Sequence, residues 1–182
     1  LDFVNTLAAN AAGPVDLIGG VGDLLAWAVR AGLIDHAKAE SLEPVWKLDR
    51  EEILARASGF RESLHRMYEY LHGNRTVNDS ELLKLNRMLS RQTGTAEVVK
   101  VDDRFEKRFR SDQSDPDQLF ASIANSAADL LCYSERELIK KCENEECVLM
   151  FLDTTKNHSR RWCSMANCGN RAKAAAFYQR KK

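Results

Sequence analysis

Four cysteines, Cys142, Cys147, Cys163 and Cys168, fall within 27 residues near the end of a 182-residue chain, in the spacing C-x4-C-x15-C-x4-C. No cysteine lies in the first 131 residues, and the fifth, Cys132, stands apart in the apolar run Leu130-Leu131-Cys132-Tyr133. A disulfide framework would spread its bridges along the chain and accompany a secretory start. The opening Leu1-Asp2-Phe3-Val4 has no basic-then-apolar layout of that kind, and it lacks an initiator Met, so residues are expected to precede it. Two equally spaced pairs across a hairpin-sized insert point instead to one structural Zn2+ held by four thiolates. Four soft anionic sulfurs complete a tetrahedron and leave no position open for substrate. A redox pair would take the form C-x-x-C beside a βαβ pattern, which is absent. Cys132 reads as a buried, inert thiol, and His158 as an exposed loop histidine.

The metal also explains how so short a tail folds. Residues 140–182 are too few to fold on apolar burial alone, and a bound metal supplies the missing staple. Residues 1–139 suffice for a core of their own. Ile53, Ala57, Phe60, Leu64, Met67 and Leu71 recur every three or four residues behind Asp49-Arg50-Glu51-Glu52, which predicts a long helix closed by Gly73. A helix capped by Asp23 and ended by Gly32, a short one from Asp35 stopping before Pro44, and one from Asp79 or Ser80 are also expected. Asp115-Pro116 starts another that reaches as far as Ile139. Glu97–Val101 and Arg104–Phe109 flank Asp102-Asp103 and predict a β-hairpin. In the tail, residues 148–152 and 159–163 read as hairpin arms, with a helix from Cys168 to about Lys182. The fold class is α+β, mainly α: a helical N-terminal domain (1–139) with one β-hairpin, followed by a small treble-clef-like zinc finger (140–182).

Charge divides the chain in the same place. Lys+Arg and Asp+Glu are both 27, so the net charge is zero. From Lys156 to Lys182 there are eight basic side chains and no acid, so the remainder carries an excess of eight acids. A basic finger beside an acidic body points to a polyanion, with DNA the expected partner. Arg160, Arg161, Asn170, Arg171, Lys173, Gln179 and Arg180 are the candidate contacts. Arginines can bind phosphate or guanine in bidentate fashion, and Asn170 or Gln179 can read adenine. Arg171 has two readings, phosphate contact or a brace on the zinc site. Trp162 reads as a plug between hairpin and helix, and Phe177 and Tyr178 as packing residues.

The run Cys168-Gly169-Asn170-Arg171 resembles the signature of the CGNR zinc-finger family. Leu1-Asp2-Phe3-Val4-Asn5-Thr6-Leu7 is similar to the opening of the ABATE-type domain that precedes this finger. The resemblance implies a bacterial, cytoplasmic, stress-linked transcription regulator whose zinc ligands are Cys142, Cys147, Cys163 and Cys168. The larger domain offers no Walker loop, nucleophile elbow, dinucleotide fingerprint or zinc-protease helix, so no catalytic residue is assigned and an enzyme is not expected. Asn5 and Arg61, polar residues beside apolar runs, are candidates to line an effector pocket. A single finger makes few base contacts, so useful specificity calls for a homodimer. No apolar stretch approaches the length of a membrane span. Two alternatives stay open: a zinc-stapled module that docks on acidic protein, and an enzyme with its site in the helical domain.

Overall fold

The computed structural model describes residues 1–10, 13–73, 75–111 and 114–179. Six helices dominate: α1 (Val21–Arg30), α2 (His36–Trp46), α3 (Arg50–His72), α4 (Asp79–Leu89), α5 (Pro116–Tyr133) and α6 (Asn170–Gln179). Six short strands pair as three separate antiparallel ribbons: β1 (Leu7–Asn10) with β2 (Gly13–Asp16), β3 (Thr95–Val101) with β4 (Arg104–Arg110), and β5 (Ile139–Lys141) with β6 (Met150–Leu152). The class is the expected mainly helical α+β; the body carries two small ribbons, β1–β2 and β3–β4, where one was expected.

The core forms around α3. Its periodic stripe, from Ile53 through Phe60 and Leu64 to Met67, is buried against Leu24 and Trp27 of α1, Trp46 of α2, and Phe120, Ile123 and Ala127 of α5. Phe3 joins through ring contacts with Trp27 at 5.0 Å and Phe60 at 6.3 Å. Ile139 and Met150, from the ribbon beside the cysteines, belong to the same core.

Local chemistry sets the helix ends, and it revises several expectations. Gly20, not Asp23, caps α1; Asp23 lies in the first turn and accepts the Gly19 N–H at 3.1 Å. Gly32, at φ +70, closes that helix in a left-handed conformation open to glycine. Asp35 caps α2 by accepting from the Lys38 N–H at 2.7 Å, as expected. The helix then runs through Pro44 to Trp46. Trp46 is buried and its indole donates to the Ser114 carbonyl at 3.0 Å, a tertiary anchor that outweighs the one helical hydrogen bond proline removes. Asn78 caps α4, and Asp115 caps α5 with Pro116 at the first helical position. The last of these helices stops at Tyr133, short of the expected Ile139, because Ser134 turns extended and Ile139 is drawn into a strand. Cys132 is exposed on the outer face of α5 rather than buried.

Arg61 and Asn5 have defined structural partners. Arg61 is only 4% exposed; its Nη1 donates to Thr6 Oγ1 at 2.9 Å and Asp16 Oδ1 at 2.7 Å, while its Nη2 pairs with Asp16 Oδ2. The fork fastens the β1–β2 ribbon to α3. Hydrogen bonds from Arg61 hold the Asp16 carboxyl below the usual aspartate range, helped by the Ile18 N–H and opposed by partial burial. Asn5 donates to the Met150 carbonyl at 2.8 Å and accepts the Met150 N–H at 3.0 Å. Its amide thus pairs with β6 as a neighbouring strand would. It also borders a shallow hollow with Thr6, Ile18 and Trp27.

Asp16→Ala is expected to cost about 2–3 kcal/mol, since it strands a buried guanidinium while its own site is partly solvated. The double variant Asp16→Ala, Arg61→Met should recover most of that loss in urea denaturation. The Asp16 contribution is full above the ordinary aspartate value of 3.8 and drains away as pH falls below it, because the folded-state value is the lower one.

Candidate metal centre and its basic face

Cys142 and Cys147 sit on the loop that joins β5 to β6. Cys142 N–H extends the ladder by donating to Leu149 O at 2.9 Å, and Cys147 N–H closes a tight turn onto Asn144 O at 2.8 Å. The second pair comes from the C-terminal side: Cys163 precedes a π-type turn at Met165–Gly169, and Cys168 lies at its end, where α6 begins. A helix N-terminus favours the thiolate there. Gly169 packs closely here: a side chain would press on Met165 Sδ at 2.7 Å and Trp162 Cδ1 at 3.1 Å, so the thioether would have to swing aside.

The four sulfurs lie within 4.8 Å of one another, and three of the four cysteines are buried. Cys147 and Cys163 are 3.8 Å apart, Cys163 and Cys168 3.6 Å. A tetrahedral site with zinc–sulfur bonds of about 2.3 Å requires sulfurs about 3.8 Å apart. Burial pushes the Cys147 thiol up, and it pushes Cys163 up further with its sulfur neighbours adding to the effect. Burial also works on Cys142, but backbone N–H groups of Cys163 and Asn144 outweigh it and hold that thiol below its usual value. Four thiols so placed cannot all ionise without a cation between them. The residues fit one metal ion, and the all-sulfur donor set selects zinc over harder cations.

The strands around this site differ from those expected. Residues 150–152 pair with 139–141, not with 159–163. Asp153 is the reason. It is 0% exposed, its Oδ2 accepts from Lys140 Nζ at 2.7 Å and the Arg160 N–H at 2.9 Å, and its Oδ1 takes the Thr155 N–H at 3.0 Å and hydroxyl at 2.6 Å. Burial opposes the charge, yet these donors hold the carboxyl well below the usual range. The 153–160 segment therefore curls around one carboxylate. Arg161 then runs beside the first cysteine turn, its carbonyl accepting the Glu143 N–H at 3.0 Å.

The candidate DNA contacts fall into distinct settings. Arg160 lies over the Phe151 ring at 4.3 Å and donates to the carbonyls of Trp162, at 3.0 Å, and Cys163. Arg161 is exposed, 2.6 Å from Glu143 and 5.0 Å from the Trp162 ring centroid; its guanidinium holds the Glu143 carboxyl below the usual range. Arg171 donates to Cys168 Sγ at 3.5 Å, the bracing geometry, with Glu146 at 4.0 Å. Asn170 is exposed and donates to Ala166 O at 3.2 Å. Lys173 and Gln179 are exposed on α6, and Arg180 lies outside the described residues. Phe177 and Tyr178 are exposed and touch each other at 5.8 Å rather than packing on the finger, whereas Trp162 is partly buried against the cysteines. His158 is exposed, as expected.

A groove of about 620 Å³ crosses this face, lined by Thr155, Lys156, Asn157, Ser159, Arg160, Arg161, Trp162 and Met165. Among the described residues, no carboxylate lines it. Sequence reasoning missed Asp153, Glu143 and Lys140. The Asp-x-Thr at 153–155 is an Asx-turn signature that marks the first; the other two act through space and leave no local pattern.

Residues 139–181 match a family model described as the CGNR zinc finger. Residues 1–134 match the ABATE model, described as "Putative stress-induced transcription regulator". No curated protein matches the chain. Among the described residues, no helix is long and apolar enough to cross a membrane.

One zinc per chain is expected by elemental analysis. Chelation, or Cys168→Ser, should remove amide-exchange protection across 142–170 while leaving the centre of α3 protected. Arg171→Ala should weaken zinc affinity about tenfold in a chromophoric chelator competition, as loss of an outer partner of a ligand does. Lys173→Ala, without contact to the sulfurs, should not.

Proposed function

The chain belongs to the ABATE family and carries a CGNR zinc finger, and on that premise we propose that it regulates transcription by binding DNA through the finger. The observation that carries this reading is the basic groove on the finger: one lysine, two arginines, hydroxyls and an amide line it, and among the described lining residues there is no carboxylate. Zinc makes the groove rigid by joining the 142–147 turn to the start of α6. Lys156, Arg161 and Lys173 are the exposed cations that meet the phosphates. α6 has no buried residue along its length, so either Asn170 or Gln179, which nine residues set on opposite faces of the helix, can be offered to a major groove; Arg180 lies outside the described residues. Arg160 and Arg171 serve mainly to hold the metal loop in shape.

In this reading the body (1–139) and the finger (140–182) divide the work. The body receives a signal in the cytoplasm, and the finger transmits it. The two share Ile139 and Met150 in one core, and Asn5 bonds directly to β6, so a change in the body's packing reaches the finger without a linker.

Fluorescence anisotropy with duplex DNA chosen by genomic selection tests the proposal. Affinity should fall steeply with salt, and the log–log slope should lessen by about 0.9 for each of Lys156→Ala and Lys173→Ala that removes a phosphate contact. Cys168→Ser should abolish binding. Salt-independent binding, or no selected duplex, overturns it.

A further inference from the structure

Three helices leave a small hole where they meet. Trp27 and Ala31 at the end of α1, Leu64 and Tyr68 of α3, and Ile123 and Ala127 of α5 stand four residues apart, so each pair projects from one face of its helix. The three faces converge on a cavity of about 150 Å³. Two of the six residues are alanine, and the faces therefore stop short of closing on each other. The floor is buried in the core, with the Phe3 and Trp27 rings beside Leu64, Tyr68 and Ile123. Asp2, Ala31 and Ser126 are exposed and form the mouth.

Tyr68 is the anomaly on this floor. It is 1% exposed, yet its hydroxyl has no hydrogen-bond partner among the described residues. Burial alone pushes the phenol up, with no donor or acceptor contributing. The hydroxyl keeps a little accessible surface, and the open space beside it is this cavity. A buried hydroxyl without a partner is a cost to the fold, and phenylalanine would fill the same place without it. Charge narrows what could meet that hydroxyl. Asp2 is the one charged side chain among the described wall residues, and it disfavours an anion. The apolar floor disfavours any ion, because no counter-charge lies there to offset desolvation. The size suits one ring, since a dry apolar cavity of about 150 Å³ takes up benzene.

We propose that this cavity is a binding site for an uncharged, single-ring aromatic molecule carrying one hydrogen-bond acceptor, a phenol in the simplest case. The ring lies among Trp27, Leu64 and Ile123, and its polar atom accepts from the Tyr68 hydroxyl. A molecule of about seven heavy atoms binds with a Kd of about 0.1–1 mM at best-packed sites of this kind. Its occupancy touches α1, α3 and α5 at once. That this occupancy is the signal passed to the finger rests on the reading proposed above; the binding itself does not.

NMR titration of the full chain with phenol and, separately, benzene tests it. Phenol should shift the Ile123 methyl and Trp27 indole resonances saturably. Tyr68→Phe should weaken phenol about fivefold and leave benzene unchanged, a cycle that isolates the hydroxyl contact. It should cost no thermal stability, since the hydroxyl it removes has no protein partner. Ala127→Leu should abolish uptake of both probes. Ala31→Leu on the exposed rim should do the same, so a folding defect in the buried variant leaves the other to decide. Phenol that does not saturate, or whose affinity Tyr68→Phe leaves unmoved, overturns the proposal. So does a crystal soaked in phenol that shows only water on the Tyr68 hydroxyl, and so does a chain carrying residues before Leu1 that fill the cavity themselves. DNA affinity is read separately: saturable phenol binding that leaves it unchanged keeps the site and removes its part in signalling, whereas loss of DNA binding altogether leaves the titration untouched.

Discussion

The finger depends on mutual repulsion among four sulfurs. Brought within 4.8 Å, they cannot shed their protons together unless a divalent cation lies among them. The cation is thus both glue and charge balance: it ties the 142–147 turn to the N-terminus of α6 and makes four clustered thiolates, three of them on buried cysteines, tolerable. The surrounding structure is arranged for that state. Backbone N–H groups already turn toward Cys142, Arg171 reaches Cys168, and the Arg160 guanidinium grips the carbonyl of Cys163. Each of these donors favours sulfur or a carbonyl held close to it.

The same segment is fixed to the body by apolar and polar contacts in series. Ile139 and Met150 enter the helical core, and Asn5 supplies β6 with the amide partner that a third strand would have given. Arg136 donates to the Leu71 carbonyl at 3.2 Å and to Tyr70 and Arg75, so it satisfies orphan acceptors at the C-terminal end of α3 where a cation is favoured. Lys141 reaches Glu69 on the same helix at 3.5 Å. The metal segment is therefore built on the end of α3, the helix around which the rest of the core is organised.

Much of this was legible where the signal is local. The cysteine spacing gave the metal set, the three-four period gave α3, and Asp35 and Asp115-Pro116 gave two helix starts. The β3–β4 turn was legible as well, since a two-residue Asp-Asp connection between extended runs admits few geometries. What was not legible depends on partners distant in sequence. Pro44 marks a helix end by local rules, yet Trp46 bonded to Ser114 carries α2 past it. Residues 159–163 look like a strand by composition, yet the buried Asp153 claims the Arg160 N–H and bends the segment away. Asn5 and Arg61 were visible as polar residues beside apolar runs. Their neighbours, Met150 and Asp16, lie 145 and 45 residues away, and no periodicity encodes such a distance.

Charge counting treats every cation in the tail alike, but side-chain chemistry separates them. A planar guanidinium can satisfy two carbonyls or a sulfur at fixed angles, and its weak hydration makes partial burial tolerable. Arg160 and Arg171 occupy such positions around the metal loop. A lysine is a compact, strongly hydrated charge on a flexible stem, suited to meeting a phosphate whose position varies along a strand. Lys156 and Lys173 are the two that stand exposed with no protein partner among the described residues. Arg161 combines both properties: it is exposed, stacked against Trp162, and tethered to Glu143 by a contact that water and salt can weaken. A phosphate approaching the groove would compete with that carboxylate for the guanidinium. In the DNA-binding reading proposed above, the ion pair holds Arg161 over the groove and yields it at modest cost to a stronger anion.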